Sequence, residues 1–241
     1  MGKITREVKT VFLPDIHAPY HSNYAVNKAL DFINEVEPEG VVILGDFVDC
    51  YGVSRYDKKP GHPSLVDEMK VGRKLLKRIK AAGGGVDVTL LEGNHEKRVE
   101  LYIQQNAKGL VGIEGLTVPS LLGLEELDID WVPFAGEFSV DGYRAEHGDC
   151  TGPKSGVTAM KMLEKRGCSG VSAHSHRLGH VFHTNYSHSL EWAELGCLVD
   201  FKTIGMAYAG VGPNWQWGLG YTTGDDNLHI LEVKKGGKIG S

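Results

Sequence analysis

The sequence contains five short polar motifs, each at or just beyond the end of a segment predicted to be a β-strand. Their side chains are carboxylates, imidazoles and an amide, which are the groups that bind transition metals. In chain order the motifs are Asp15-Ile16-His17, Gly45-Asp46-Phe47-Val48-Asp49, Gly93-Asn94-His95-Glu96, His147-Gly148-Asp149 and His174-Ser175-His176. Because ligands of α/β folds bind outside the carboxyl ends of the strands, we expect the motifs to converge on one site.

The spacing within the motifs favours shared metal sites. The two polar residues of the first motif, and of the last, stand two positions apart, which places both on one side of an extended chain. Glycine before Asp46 and before Asn94 permits a sharp turn that directs the next side chain into a cleft. A lone histidine on an apolar strand is usually a core residue, but chance does not explain ligand-type residues at five strand ends. The candidate metal ligands are Asp15, His17, Asp46, Asn94, His147, His174 and His176.

Charge bookkeeping supports two metals. Two divalent ions contribute four positive charges, the carboxylates of Asp15 and Asp46 remove two, and the other candidate ligands are neutral. The resulting cationic site attracts a phosphate oxyanion and acidifies a bound water to hydroxide. The mixed nitrogen and oxygen set suits Mn, Fe, Zn, Ni or Co rather than Ca, and manganese is our first expectation.

The first half of the chain alternates predicted strands and helices. Ser22 and Ser64 are expected to cap helices, the first ending near Val36 and the second at the glycines 83–85. Predicted strands occupy 8–14, 40–44 and 86–91, and the second is a continuously apolar run typical of a strand buried on both faces.

The second half reads as mostly β. A helix is predicted at 155–166 and a hairpin loop at 224–227. Short strands are predicted near 129–134, 137–140, 143–147, 169–173, 179–186, 216–223 and 228–234. Alternating helices and strands followed by further strands predict two mixed sheets that pack face to face and are flanked by helices. This arrangement is a four-layer α-β-β-α sandwich of the α/β class. No linker-like segment interrupts the chain, so we expect one domain over 1–241.

In the order of its five motifs, the sequence resembles the calcineurin-like metallophosphoesterase superfamily from about residue 8 to 180, and small phage and bacterial members look nearest. The resemblance implies hydrolysis of phosphate esters at two metals, with Asp46 bridging them. The first metal would be bound by Asp15, His17, Asp46 and His176. The second would be bound by Asp46, Asn94, His147 and His174. By the same resemblance His95 protonates the leaving oxygen, and Asp49 positions that imidazole by a hydrogen bond.

The sequence departs from the superfamily at two motifs. His147-Gly148-Asp149 ends in an aspartate where many relatives have a second histidine, so Asp149 is expected to support the ligands rather than bind metal. After Asp49 the chain has Cys50 and Tyr51 in place of the Arg-Gly of the Ser/Thr protein phosphatases. Lacking that arginine, the site is expected to prefer phosphodiesters.

Other substrates and roles remain open from the sequence. Arg55 and Arg98 are candidate substrate contacts, and either one would favour a phosphomonoesterase or protein phosphatase instead. A nuclease and a non-catalytic scaffold are weaker alternatives. The insert 51–63, the basic residues of the helix after Ser64, and Trp215 and Trp217 are possible contacts to a nucleotide or nucleic acid.

Composition sets the remaining expectations. The 241 residues carry a net charge of −5 and 41% hydrophobic residues, ordinary values for a globular protein. No apolar run approaches the roughly 18 residues that span a bilayer, and the N-terminus lacks a secretory signal, so we expect a cytoplasmic protein without a membrane partner. The four cysteines stand far apart and are expected to be reduced thiols. No P-loop motif is present, and the oligomeric state is not predicted.

Overall fold

The strands of the protein belong to two mixed sheets. The computed structural model describes residues 7–134, 136–203, 213–225 and 227–235. Within them the strands are, in chain order, β1 (Val8–Leu13), β2 (Gly40–Ile43), β3 (Asp87–Leu91), β4 (Ile129–Val132), β5 (Ser139–Val140), β6 (Tyr143–Glu146), β7 (Gly170–Ser172), β8 (Leu178–Thr184), β9 (Ser189–Leu195), β10 (Gly218–Thr223) and β11 (Leu228–Glu232).

The first sheet has the order β11-β10-β1-β2-β3-β4, and the second has the order β5-β6-β7-β9-β8. Strands β1 to β4 run parallel to one another, and β10 and β11 add an antiparallel edge. In the second sheet β6, β7 and β9 are parallel, while β5 and β8 close the two edges in the antiparallel sense. Parallel neighbours end at the same edge, which brings the residues that follow them together.

Alternating side chains of the first sheet face two different cores. Val11 and Val41 belong to the core that contains the helices α1 (Asn23–Val36) and α2 (Leu65–Ala82), whereas Phe12 and Val42 face the second sheet. Successive strand residues point to opposite faces, so a strand buried on both sides is apolar throughout. The second sheet is covered on its outer face by α5 (Val157–Arg166), whose Met162 packs in one cluster with Trp192 of β9. The predicted four-layer α-β-β-α arrangement is confirmed.

Two further helices follow β3. They are α3 (Lys97–Asn106) and the short α4 (Val118–Leu122). Across the described residues, no helix combines the length and the apolar character that crossing a bilayer requires. The four cysteines are all free thiols, and Cys50 and Cys197 are buried, as expected for reduced residues in a core.

Candidate metal centre

The five motifs lie together where parallel strands of the two sheets end. Asp15 follows β1, Asp46 follows β2 and Asn94 follows β3, while the two histidine-led motifs follow β6 and β7. The loops after β2 and β3 pack backbone against backbone at Gly45 and Gly93. A Cβ atom on Gly45 would lie 2.7 Å from the Gly93 nitrogen, and one on Gly93 would lie 2.2 Å from the Asp46 nitrogen. Only glycine permits this approach, which sets Asp46 beside the third motif.

A first group of donors consists of Asp15, His17 and His176, whose ligand atoms all lie within 4.8 Å of one another. The Nε2 atoms of His17 and His176 are 3.2 Å apart. Asp15 Oδ1 lies 3.9 Å from His17 Nε2 and 3.7 Å from His176 Nε2. All three side chains are buried.

A second group of donors surrounds His147 Nε2. This atom lies 3.0 Å from Asn94 Oδ1 and 3.0 Å from His174 Nδ1. Asp46 Oδ2 is 3.4 Å from the same nitrogen. Two donors that each bind one ion at about 2.1 Å are typically about 3.0 to 3.4 Å apart, so these separations suit a shared ion.

Asp46 stands between the two groups. Its Oδ2 atom lies 3.7 Å from His17 Nε2 of the first group and 3.4 Å from His147 Nε2 of the second. Its other oxygen, Oδ1, accepts a hydrogen bond of 2.8 Å from the His95 backbone N–H. One carboxylate oxygen therefore faces both groups of donors while the other is fixed by the backbone.

The residues fit a metal on two further observations. Asp15 Oδ1 is buried and has no hydrogen-bond partner among the described residues, a costly arrangement that a cation relieves. The other oxygen of Asp15 accepts the His174 backbone N–H at 2.8 Å. His147 Nδ1 is 2.9 Å from the Leu44 carbonyl oxygen, to which it can only donate, so Nε2 is the nitrogen that is left to bind a metal.

Four of the eight described non-glycine residues with a positive φ are candidate ligands. His17, Asp46, His174 and His176 adopt left-handed conformations, with φ of 51°, 46°, 66° and 59°. Non-glycine residues rarely occupy this region, and such strain is characteristic of functional sites. The four are all candidate ligands, so the fold holds these side chains in place at an energetic cost.

Burial and mutual charge determine the protonation of the donors. Burial, with a smaller contribution from neighbouring His147, lowers the pKa of His174 to about 4. Burial together with His17 holds the pKa of His176 well below its usual range. Burial opposes ionisation of Asp46, yet the imidazoles of His147 and His95 hold its pKa well below the ordinary value. Burial opposes protonation of His147, yet the charges of Asp46 and Asp15 raise its pKa to about 10, so a divalent cation that binds there displaces a proton from this imidazole.

Asp49 contacts both imidazoles on its side of the site. Its Oδ2 atom lies 2.9 Å from His17 Nδ1 and 3.2 Å from His95 Nδ1, and its carbonyl oxygen lies 3.0 Å from His95 Nδ1. Because His17 Nδ1 donates to Asp49, its Nε2 is left to face the first group of donors. The predicted contact between Asp49 and His95 is present, and the contact to His17 is one that the sequence analysis did not name.

Glu96 is a buried residue of the site that sequence analysis missed. Its carboxylate accepts the backbone N–H groups of Asp46 at 3.0 Å, Val48 at 2.8 Å and Gly93 at 2.9 Å, and so ties the second and third motifs together. Burial and the charge of Asp46 raise the pKa of Glu96 to about 7. The sequence signal for a role of Glu96 in the site was its position directly after His95 in the third motif. The charge count from sequence included neither Glu96 nor Asp49, and the charge of Asp49 is paired with that of Arg98.

Four of the seven candidate ligands, Asp46, Asn94, His174 and His176, line a cleft of about 630 Å³. Arg98 lies in its wall, donating to the Asp49 carbonyl oxygen at 2.9 Å and towards His95 Nε2 at 2.8 Å. Arg55 is exposed, stands over the ring of Tyr56 and is not among the residues that line the cleft, whereas Lys59 of the same insert is. Asp149 was expected beside the ligands, but it pairs with Lys165 and Arg166 of α5 instead.

The sequence profile of the calcineurin-like phosphoesterase family matches residues 8–195. The chain belongs to this family, and the match includes all five motifs. It is therefore a metal-dependent hydrolase of phosphate esters, and its clusters of aspartate and histidine are able to bind metal.

Two phage proteins are similar over almost the whole chain. The Gene 54 protein of Mycobacterium phage L5 is 26% identical over 230 residues, which cover 90% of this chain and 89% of the phage protein. The Gene 54 protein of Mycobacterium phage D29 is 26% identical over 234 residues, 91% of this chain and 90% of its own length. These similarities are consistent with a small phage-type member of the family.

Proposed function

We propose that this chain is a dinuclear phosphodiesterase whose two metals are bridged by Asp46. The observation that carries the proposal is the position of Asp46 Oδ2 between two groups of donors, 3.7 Å from His17 Nε2 and 3.4 Å from His147 Nε2. The first ion would be held by Asp15, His17, Asp46 and His176. The second would be held by Asp46, Asn94, His147 and His174. The mixed nitrogen and oxygen donors of both groups suit Mn, Fe, Zn, Ni or Co, of which we expect manganese first.

When bound, the two ions supply Lewis acidity, which polarises the phosphoryl oxygens and acidifies the attacking water. The chain itself supplies the positions of the donors. Buried Asp15 and Asp46 provide the negative charge that retains two cations, and the left-handed backbone of the histidines aims their nitrogens inwards. The cleft beside them leaves room for an ester substrate.

His95 is the residue proposed to protonate the leaving oxygen. Its Nδ1 is within hydrogen-bond distance of the Asp49 carbonyl oxygen, which can only accept, so Nδ1 carries a proton. A second proton on Nε2 makes the ring a cationic acid, and the negative charges of Asp46 and Asp49 favour that form. Arg98 also donates towards Nε2, so the arginine must leave this nitrogen when the proton arrives.

A preference for diesters is proposed from the cations of the cleft wall. A monoester dianion gains most from two arginines that clamp its terminal oxygens. In this cleft Arg98 is bonded to Asp49 and Arg55 lies outside the lining residues, which leaves Arg177, and a single arginine does not form such a clamp. A diester carries one negative charge less and needs less compensation from the protein.

The preference is tested with methyl p-nitrophenyl phosphate and p-nitrophenyl phosphate, which share one leaving group. We expect the diester to have the higher kcat/KM at one pH with manganese present. A monoester that is better by tenfold or more would contradict the diester assignment and favour a phosphomonoesterase built on the same site.

A further inference from the structure

Arg177 differs from the other partly buried arginines of the described chain. Those arginines each pair with a carboxylate: Arg73 with Glu126, Arg98 with Asp49, Arg144 with Glu137 and Glu146, and Arg166 with Glu146 and Asp149. Arg177 forms no ion pair with any described residue.

The hydrogen bonds of Arg177 are also incomplete. One terminal nitrogen donates to the Ser175 carbonyl oxygen at 3.2 Å, which anchors the group. Its Nε is buried and has no hydrogen-bond partner among the described residues. Burying an unpaired cationic donor is costly unless an anion completes it. Arg177 lines the cleft of the metal centre, directly after His176, so the residue borders the space that a substrate would occupy.

Trp215 supplies an aromatic surface next to Arg177. Its ring centroid lies 4.4 Å from that of His176, and the two rings are nearly perpendicular at 72°. Phe201 supports the indole from another side, with ring centroids 5.9 Å apart. Trp215 also lines the cleft. A half-buried, supported indole at a cationic site is the arrangement on which proteins stack nucleobases.

We infer that Arg177 and Trp215 form a subsite for a nucleotide, in which Trp215 stacks on the base and Arg177 binds a phosphate other than the one being hydrolysed. The inference rests on the proposed phosphodiesterase activity and names its substrate class. That class is a nucleotide phosphodiester bearing a second phosphate, which is the repeating unit of a nucleic-acid strand. The cleft of about 630 Å³ accommodates such a unit beside the metals.

Three diesters with the same leaving group test this inference. They are methyl p-nitrophenyl phosphate, thymidine 5′-(p-nitrophenyl phosphate) and the latter compound with an added 3′-phosphate. For the wild-type protein with manganese, we expect kcat/KM to rise when the nucleoside is added and to rise again with the second phosphate. Each gain should be roughly tenfold, the usual worth of one stacked base or one charge-assisted contact.

The variants separate the two contacts. Arg177→Ala should remove the gain from the second phosphate, and Trp215→Ala should remove the gain from the nucleoside, whereas Trp215→Phe should keep most of it. Arg73→Ala serves as the matched control and should keep both gains, because Arg73 lies on α2 and pairs with Glu126. Ratios between substrates are unaffected by a loss of folded protein, so a purely structural role does not mimic the result.

Two outcomes would overturn the inference. One is a wild-type protein whose kcat/KM rises neither with the added nucleoside nor with the second phosphate. The other is Arg177→Ala that lowers kcat/KM for p-nitrophenyl phosphate more than for the bisphosphate, because the arginine would then contact the reacting phosphoryl group. Failure to hydrolyse any of the three diesters would instead contradict the proposed phosphodiesterase activity.

Discussion

At the scale of single residues, the site depends on side chains that fix their neighbours rather than on the candidate ligands alone. Asp49 orients His17 and contacts His95, and Glu96 holds three backbone N–H groups of two motifs. Glu96 bonds to the backbone of Asp46, and neither carboxylate contacts a donor atom of the second group in the contacts described above. Their effects on chemistry must therefore pass through the residues that they position.

His95→Asn tests the proposed general acid. The substitution keeps a polar side chain but removes the acid, so turnover should fall by roughly 10² to 10⁴ while bound metal is retained. The loss should be smaller for p-nitrophenyl esters, whose leaving group needs little protonation, than for alkyl esters. The measurement is the hydrolysis rate for a series of esters that differ in the leaving group, together with metal analysis of the same samples. Equal losses across the series would remove His95 from this role.

Glu96→Gln tests the tie between the second and third motifs. The amide offers one acceptor oxygen in place of two, so at least one buried N–H group of Asp46, Val48 or Gly93 loses its partner. The free energy of unfolding should decrease by roughly 1 to 3 kcal/mol in chelator, and manganese should bind more weakly. Glu92→Gln is the control, since Glu92 accepts only the Phe134 N–H in the hydrogen bonds described. Equal free energies of unfolding for Glu96→Gln and Glu92→Gln would contradict the role of Glu96 in holding the two motifs together.

At the scale of elements, two helices were predictable because their signals are local. Ser22 and Ser64 accept the N–H groups of Ala25 and Asp67 at the starts of α1 and α2, as their positions in the sequence indicate. The apolar residues recur at helical spacing, so the packed face follows from the sequence. The helix predicted at 155–166 is also confirmed, as α5.

Three elements were missed, α3, α4 and β9, and tertiary contacts determine the first and the last of them. Helix α3 has no side-chain cap, because Glu96 at its start is bonded to the loops of the site. Val99 is the only fully buried residue of this helix, so its apolar face gives little signal. Strand β9 contains Glu191 and Glu194, which read as polar helix residues. Glu194 is nevertheless buried, because Ser175 donates to it at 2.6 Å and the Gly156 N–H donates to its other oxygen. Such partners are distant in the sequence.

Glu68 of α2 gives a pH-dependent prediction for the junction with the insert. It is buried and accepts the Gly52 N–H at 3.1 Å, and burial raises the pKa of its carboxyl to about 7. The pKa of Glu68 is higher in the folded protein than in the unfolded one. Its contribution to stability is therefore full below the unfolded pKa and is lost as pH rises through the folded pKa. Glu68 should therefore lower the free energy of unfolding between about pH 4.5 and 7, by up to roughly 3 kcal/mol.

Glu68→Gln retains an acceptor for Gly52 but cannot ionise. The variant should gain stability relative to wild type as pH increases from 5 to 8, measured by denaturant unfolding in chelator. Glu35→Gln, at an exposed position of α1, is the matched control and should show no such trend. A constant difference between Glu68→Gln and wild type across this range would contradict the assignment.

At the scale of the whole molecule, convergence of the five motifs follows from sheet topology. The strand ends of two sheets meet at one edge, so residues separated by 159 positions, such as Asp15 and His174, bond at 2.8 Å. The sequence indicated this meeting because ligand-type residues follow several strands. It did not indicate which face Asp149 would take or where Arg55 would point, since both depend on how helix α5 and the insert pack.

The most direct test of the account is the metal content of three proteins dialysed against manganese: wild type, Asp46→Asn and Asp149→Asn. Asp149 is the matched control because it is an aspartate of the motifs that pairs with α5 instead of facing the donors. We expect about two ions per chain in wild type and in Asp149→Asn, with loss of at least one ion and of phosphodiesterase activity in Asp46→Asn. An Asp46→Asn protein that keeps both ions and its activity would contradict a dinuclear centre bridged by this residue.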